Sequence, residues 1–176
     1  AEGGVLGDGV RVRWSRPNFL TTTYSAVKPS GVVWEDGLYH PSDDGSMWAF
    51  DRWTGDVRWT TDLTDHFAGI HGSPQVSKAV VWIGTYSGLV RFADGRMRRY
   101  GVEEGLPGDQ VMSLHASSDG TLWIGTYEGG LARMRGGQIE PYVSPGRPID
   151  PIVTGLSPGV DGELWIASFG GLSRLD

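Results

Sequence analysis

One six-residue box written three times at nearly constant spacing, short stretches alternating apolar and polar residues, and a glycine turn after almost every stretch predict an all-β propeller of four four-stranded blades. The box reads Val81-Trp82-Ile83-Gly84-Thr85-Tyr86, then Leu122-Trp123-Ile124-Gly125-Thr126-Tyr127, then Leu164-Trp165-Ile166-Ala167-Ser168-Phe169. Its tryptophans fall 41 and 42 residues apart, and a weaker copy, Leu38-Tyr39-His40-Pro41-Ser42, places Tyr39 43 residues before Trp82. A period of about 40–45 residues built from four strands belongs to propellers rather than to helical solenoids. No segment sustains the 3.6-residue period of an amphipathic helix.

Each element of the blade follows in order. The box is the second strand. After a turn comes a third strand: Met47–Phe50, Leu89–Phe92, Leu131–Met134 and Leu172–Leu175. A fourth strand ending in an aromatic follows in three copies, at Asp56–Trp59, Arg96–Tyr100 and Gln138–Tyr142. The fourth copy reaches Asp176 without one, and Asp8-Gly9-Val10-Arg11-Val12-Arg13-Trp14 has the matching turn, alternation and terminal aromatic. The expectation is that residues 8–14 pair with the C-terminal blade and close the ring. The chain then reads as one domain, 1–176, with blades at about 21–59, 68–100, 109–142 and 151–176, the last completed by 8–14. A lone four-stranded blade cannot bury both faces; radial stacking does so, and closure removes raw edges.

Composition narrows the class. The 176 residues include 28 Gly, 10 Pro and 8 Trp, a balance suited to short strands and tight turns. A domain of this size buries about 70% of its unfolded surface. Without cysteine there is no disulfide, thiolate nucleophile or Cys-ligated zinc. A net charge of −6 is the wrong sign for a nucleic-acid binder. No stretch approaches the roughly 18 apolar residues of a membrane span. Ala1-Glu2-Gly3-Gly4 lacks a charged and apolar signal segment and an initiator Met, so a processed or trimmed start is expected. Thirteen Arg against two Lys, and a single Asn at position 18, point to a GC-rich bacterial genome.

Two repeat families are visible in these motifs. Gly105-Leu106-Pro107-Gly108-Asp109-Gln110-Val111, continuing through Asp119-Gly120-Thr121-Leu122-Trp123-Ile124-Gly125-Thr126 to Gly130-Leu131, resembles the two-component regulator propeller repeat over 105–142. Residues 161–172 resemble the same repeat, with Ala-Ser in place of Gly-Thr. Ala49, Asp51, Thr54, Gly55 and Trp59 resemble the docking pattern of a quinoprotein (PQQ-type) blade over 49–59. The first resemblance implies a propeller of the kind found in periplasmic sensor regions of bacterial hybrid kinases, and hence a periplasmic or secreted location. The second covers one blade, so no cofactor is carried over.

Propellers bind ligands at the channel mouth, on loops leading into each innermost strand. Those loops contain Asp109 and Asp150, which the spacing places at equivalent positions two residues before Val111 and Ile152. His66, His71 and Ser25 fall in or beside the corresponding loops. Two carboxylates and two imidazoles converging on one axis suit a divalent cation or a general acid/base pair, whereas the structural alternative has each Asp accepting backbone N–H bonds in its own turn. Trp82, Trp123 and Trp165 recur at blade period and read as core; Trp34 and Trp53 break the repeat and are the candidate aromatic contacts. His115 lies inside an inner strand and reads as a packing residue. No HExxH, EF-hand, phosphate-loop or Gly-x-Ser-x-Gly pattern occurs, so no metal and no cofactor is expected.

The expected function is a non-catalytic binding or interaction module that takes a small molecule, sugar or protein at the channel mouth. A small enzyme (lyase, cyclase or hydrolase) using His71, Asp109 and Asp150 is the first alternative. A natural or engineered scaffold without a ligand is the second. A four-bladed monomer is expected, with an eight-bladed homodimer as the other arrangement.

Overall fold

The computed structural model describes residues 30–42, 45–63, 69–70, 72–77, 79–94, 96–145 and 148–176, together with the backbone of 5–6 and 10–11. These residues are all-β apart from one 3-10 turn at Val102–Glu104. Among them no helix is long and apolar enough to cross a membrane. A short antiparallel ladder joins β1 (Val5–Leu6) to β2 (Val10–Arg11). Three four-stranded antiparallel sheets follow. The first holds β3 (Val32–Trp34), β4 (Gly37–Pro41), β5 (Ser46–Asp51) and β6 (Val57–Asp62). The second holds β7 (Gln75–Ser77), β8 (Val80–Thr85), β9 (Gly88–Ala93) and β10 (Arg96–Tyr100). The third holds β11 (Val111–Ala116), β12 (Leu122–Thr126), β13 (Gly130–Arg135) and β14 (Gln138–Pro141). The fourth sheet has three strands, β15 (Val153–Pro158), β16 (Leu164–Ser168) and β17 (Gly171–Leu175).

The repeat in the sequence is a repeat of register. Trp82 lies opposite Arg91, Trp123 opposite Arg133 and Trp165 opposite Arg174. The hairpin after each box is closed by its own hydroxyl: Thr85, Thr126 and Ser168 donate to the carbonyls of Gly88, Gly130 and Gly171 at 2.9, 2.9 and 3.1 Å. Gly88 has φ +125°, and a Cβ there would meet the Tyr100 carbonyl oxygen at 2.4 Å, so only glycine permits this turn beside the fourth strand.

Period-two alternation gives every blade a forward and a rear face, and the core lies where the forward face of one meets the rear face of the next. Between the first and second sheets, Met47, Tyr39 and Trp59 pack against Val81, Ile83 and Val90. Between the second and third, Leu89, Trp82 and Tyr100 meet Leu114, Leu122, Ile124 and Ala132. Between the third and fourth, Leu131, Trp123 and Tyr142 meet Val153, Leu164 and Ile166. A Cβ on Gly125 would lie 2.6 Å from Val153 Cγ1, so in the third blade the box has glycine where the next blade leans in.

The terminal aromatic of each described fourth strand stacks over the box. Trp59 lies 6.0 Å from Tyr39, Tyr100 6.0 Å from Trp82, and Tyr142 meets Trp123 edge-on at 5.1 Å. These contacts make Trp82 and Trp123 structural, as their period predicts. The innermost strands of successive sheets contact one another from first to second, second to third and third to fourth; no comparable contact joins fourth to first among the described residues. The ring is therefore not closed among these residues. Val10–Arg11 pairs with Val5–Leu6, β17 pairs among the described residues only with β16, and residues 8–9 and 12–14 of the expected closing strand lie outside the described set.

Candidate functional site

The hairpins between second and third strands and the connectors between blades lie at the same end of the barrel of sheets. A repeated hydrogen bond ties them together. Tyr86 N–H donates to the Gly69 carbonyl at 3.1 Å, Tyr127 N–H to Gln110 at 2.9 Å, and Phe169 N–H to Ile152 at 3.2 Å. Each connector thus ends against a hairpin tip carrying an aromatic ring. The 101–110 connector is anchored by Leu106, buried at 2% exposure, and by the Glu104 carboxylate accepting from Gly101 N–H at 2.7 Å.

Asp109 and Asp150 both lie on this face, but not at equivalent positions. The ladders pair Val111 with Thr126 and Val153 with Ser168, so Asp109 aligns with Pro151 and Asp150 with Gly108. The apolar Ile152 masks the offset in the sequence; in the structure it is Gln110's counterpart, one residue ahead of the strand. Asp109 is exposed. Asp150 is half-buried, and its Oδ1 accepts from Ile152 N–H at 2.8 Å, the local turn bond of the structural alternative. Its other oxygen would lie 2.6 Å from a Cβ at Gly170, so this carboxylate sits close against the β16–β17 hairpin. His66, His71 and Ser25 lie outside the described residues. Among the described residues no three His, Asp or Glu side chains gather as a metal site.

Trp34 and Trp53 sit at the opposite end, Trp34 as the last residue of β3 and Trp53 in the β5–β6 turn. Trp34 is half-buried; Trp53 is 54% exposed under the Arg52 guanidinium, 4.5 Å from the ring centre. Arg52 N–H and its guanidinium donate to the carbonyls of Asp36 and Glu35, tying the two turns together. The 49–59 pattern is a local cap. Asp51 Oδ1 accepts from Trp53 and Thr54 N–H at 2.8 and 3.0 Å, and Arg58 bridges Asp51 and Asp36 at 2.7 and 2.8 Å. The Arg58 bond first, then the two N–H groups, hold the Asp51 carboxyl down to about 2.

Three residues on the mouth face are not among the sequence candidates: Tyr86, Tyr127 and Phe169. Tyr86 is 40% and Phe169 73% exposed. Their signal is present in the sequence, an aromatic closing every box at blade period, but it reads as part of the structural motif until the hairpin tips are seen to reach the connectors. His115 pairs with Trp123 on β11; burial pushes its imidazole below the ordinary range. It is a packing residue, as its strand position predicts.

Residues 105–128 match the model of the two-component regulator propeller. No curated protein is significantly similar in sequence. Solved structures share the fold. The extracellular domain of the hybrid two-component system BT3049 from B. thetaiotaomicron is 16% identical, with a TM-score of 0.67 over 95% of this chain and 24% of that one. A catalytically inactive virginiamycin B lyase from Staphylococcus aureus, with quinupristin, is 16% identical, with a TM-score of 0.71 over 99% of this chain and 62% of that one. The computationally designed protein Ika4 is 13% identical, with a TM-score of 0.63 over 92% of this chain and 98% of that one. The chain thus spans about a quarter of the sensor domain and about three fifths of the lyase.

Proposed function

We propose that this propeller is a non-catalytic binding module whose ligand is a small hydroxyl-rich molecule such as a sugar, taken on the mouth face. One observation carries the reading: rings and acids meet there, with the half-buried Tyr127 bonded through its N–H to the connector of the exposed Asp109, and the exposed Phe169 to that of the half-buried Asp150. Rings stack on the apolar faces of a sugar, and carboxylates accept from its hydroxyls. His71, His66 and Ser25 belong to the same proposed mouth by their place in the chain. Trp34 and Trp53, at the other end, form a separate candidate surface. The fold shared with an extracellular sensor domain supports a periplasmic or secreted location.

Titration calorimetry with a panel of mono- and oligosaccharides tests the proposal. The Asp109→Asn/Asp150→Asn double variant and Tyr127→Ala should each weaken binding by about tenfold or more. Unchanged affinity in both would remove the mouth from the reading and direct attention to Trp53. The fold shared with a lyase supports a second reading, in which His71 acts with Asp109 and Asp150; ligand consumption lost in His71→Ala decides for it. A chain that binds nothing in the panel and turns nothing over is a scaffold.

We also propose that residues 8–14 complete the fourth blade by adding to β17. The groove along β17, about 350 Å³, is walled by Leu172, Arg174 and Leu175 on one side and Ser144, Pro148 and Ile149 on the other. In the third blade the corresponding connector lies against the fourth strand, where a Cβ on Gly105 would meet the Ile139 carbonyl oxygen at 2.5 Å. Removing residues 1–14 should lower the melting temperature; an unchanged melt counts against strand addition.

A further inference from the structure

The two ends of the row of blades are open, and each fits the other. At one register position on the forward face, Met47, Leu89 and Leu131 are 0, 0 and 2% exposed, each covered by the following blade; the fourth blade carries Leu172 there, at 65%. On the rear face, Val81, Leu122 and Leu164 are each 4% exposed, and Ile83, Ile124 and Ile166 are 0, 0 and 1%. The first blade carries Leu38 and His40 at those positions, both half-buried, and Val33 beside them is 50% exposed. Exposed apolar side chains on the end faces of a repeat array, Leu172 at one end and Val33 at the other, call for a partner. Every internal interface is a forward face against a rear face, so the partner face for Leu172 is the one that Val33 and Leu38 present.

Among the described residues that face of the same chain is not brought against Leu172. The inner strands of neighbouring blades touch, whereas β15 and β3 make no comparable contact among the described residues. The chain superposes on 62% of the lyase chain with a TM-score of 0.71. We propose that a second copy of this chain covers both ends, giving an eight-bladed ring with twofold symmetry. The forward face of each fourth blade packs on the rear face of the partner's first blade. Two such contacts related by a twofold axis close the assembly, which leaves no open end to propagate a filament. In this ring the strand that completes each fourth blade comes from the partner. The proposal does not depend on what the mouth binds.

Analytical ultracentrifugation of the full 176-residue chain, with two single variants, tests it. The wild type should sediment at twice the chain mass. Leu172→Arg on the forward face and Val33→Arg on the rear face should each raise the dimer dissociation constant by about 100-fold or more, as for an unpaired charge in an apolar contact. Both positions are at least half exposed in the single chain, and circular dichroism should show both variants folded. An equimolar mixture of the two variants should recover dimer, because one of its two interfaces then joins two unaltered faces. A wild type that remains at one chain mass across a concentration series overturns the proposal, as that result means closure within one chain. A dimer insensitive to both substitutions overturns it as well, placing the contact elsewhere, and so does growth into open polymers.

Discussion

The third and fourth blades carry the same box in the same ladder register, yet one is interior and the other is not. Trp123 is 8% exposed and Leu131 2%, because Tyr142 caps the tryptophan and the fourth blade covers the leucine. Trp165 is half-buried with no described fourth-strand ring beside it, and Leu172 is 65% exposed. The difference lies in the neighbours and not in the residues. In a repeat protein, stability is a sum of intrinsic blade terms and interface terms, and the fourth blade has lost one interface within the chain.

The largest test of this contrast is the tryptophan pair. Trp123→Ala should cost about 3–5 kcal/mol in chemical denaturation, the range for a buried aromatic, while Trp165→Ala in dilute protein should cost clearly less. Equal costs would mean that the fourth blade is already capped within one chain. The leucine pair sharpens the same point. Leu131→Ala should cost about 2–5 kcal/mol at any protein concentration. Leu172→Ala should cost little in dilute solution and more as concentration rises, because a second copy then covers it. A concentration-independent cost at Leu172 would break the comparison.

A smaller effect comes from the residues opposite the two tryptophans, His115 in the third blade and Ser157 in the fourth. Burial lowers the His115 pKa, so the unfolded chain binds the proton more readily than the folded one. The stability that the neutral imidazole contributes is present above its unfolded value of about 6.5, and is lost as pH falls from there through the folded value. Thermal melts of wild type and His115→Ser between pH 7.5 and 5, about one unit either side of that value, should show the wild type losing more stability on acidification. Parallel curves would place His115 in solvent.

The smallest effect concerns the turns before the boxes. In the third blade Asp119 accepts from Thr121 N–H and hydroxyl, both at 2.9 Å; in the fourth, Glu163 reaches back to Asp161 N–H at 2.9 Å. The Thr121 bonds, backbone first, lower the Asp119 pKa, so its contribution holds above the ordinary carboxylate value and fades as pH falls below it. Asp119→Asn should narrow the melting difference between neutral and acid pH by a small amount. No narrowing would show the turn to be solvated.

Period and alternation determined the blade, its strands, the hairpin hydroxyls and the structural role of Trp82 and Trp123, because these depend on contacts that a repeat makes with itself and its neighbour. The 49–59 pattern was legible for the same reason: its bonds span at most a few residues, apart from the Arg58 bridge to Asp36. The site was less legible. Asp109 and Asp150 look equivalent in spacing, and only the strand ladders expose the one-residue offset, since an apolar residue can begin a strand or end a loop. Tyr86, Tyr127 and Phe169 are plain in the sequence, yet their place against the connectors arises from backbone bonds between residues 17 positions apart. Above all, the repeat contains no statement of how many blades make a ring. Blade count follows from the angle at which one sheet packs on the next, a property of side-chain volumes at the interface summed around the axis, so the open ends at Leu38 and Leu172 appear only when the blades are assembled in three dimensions.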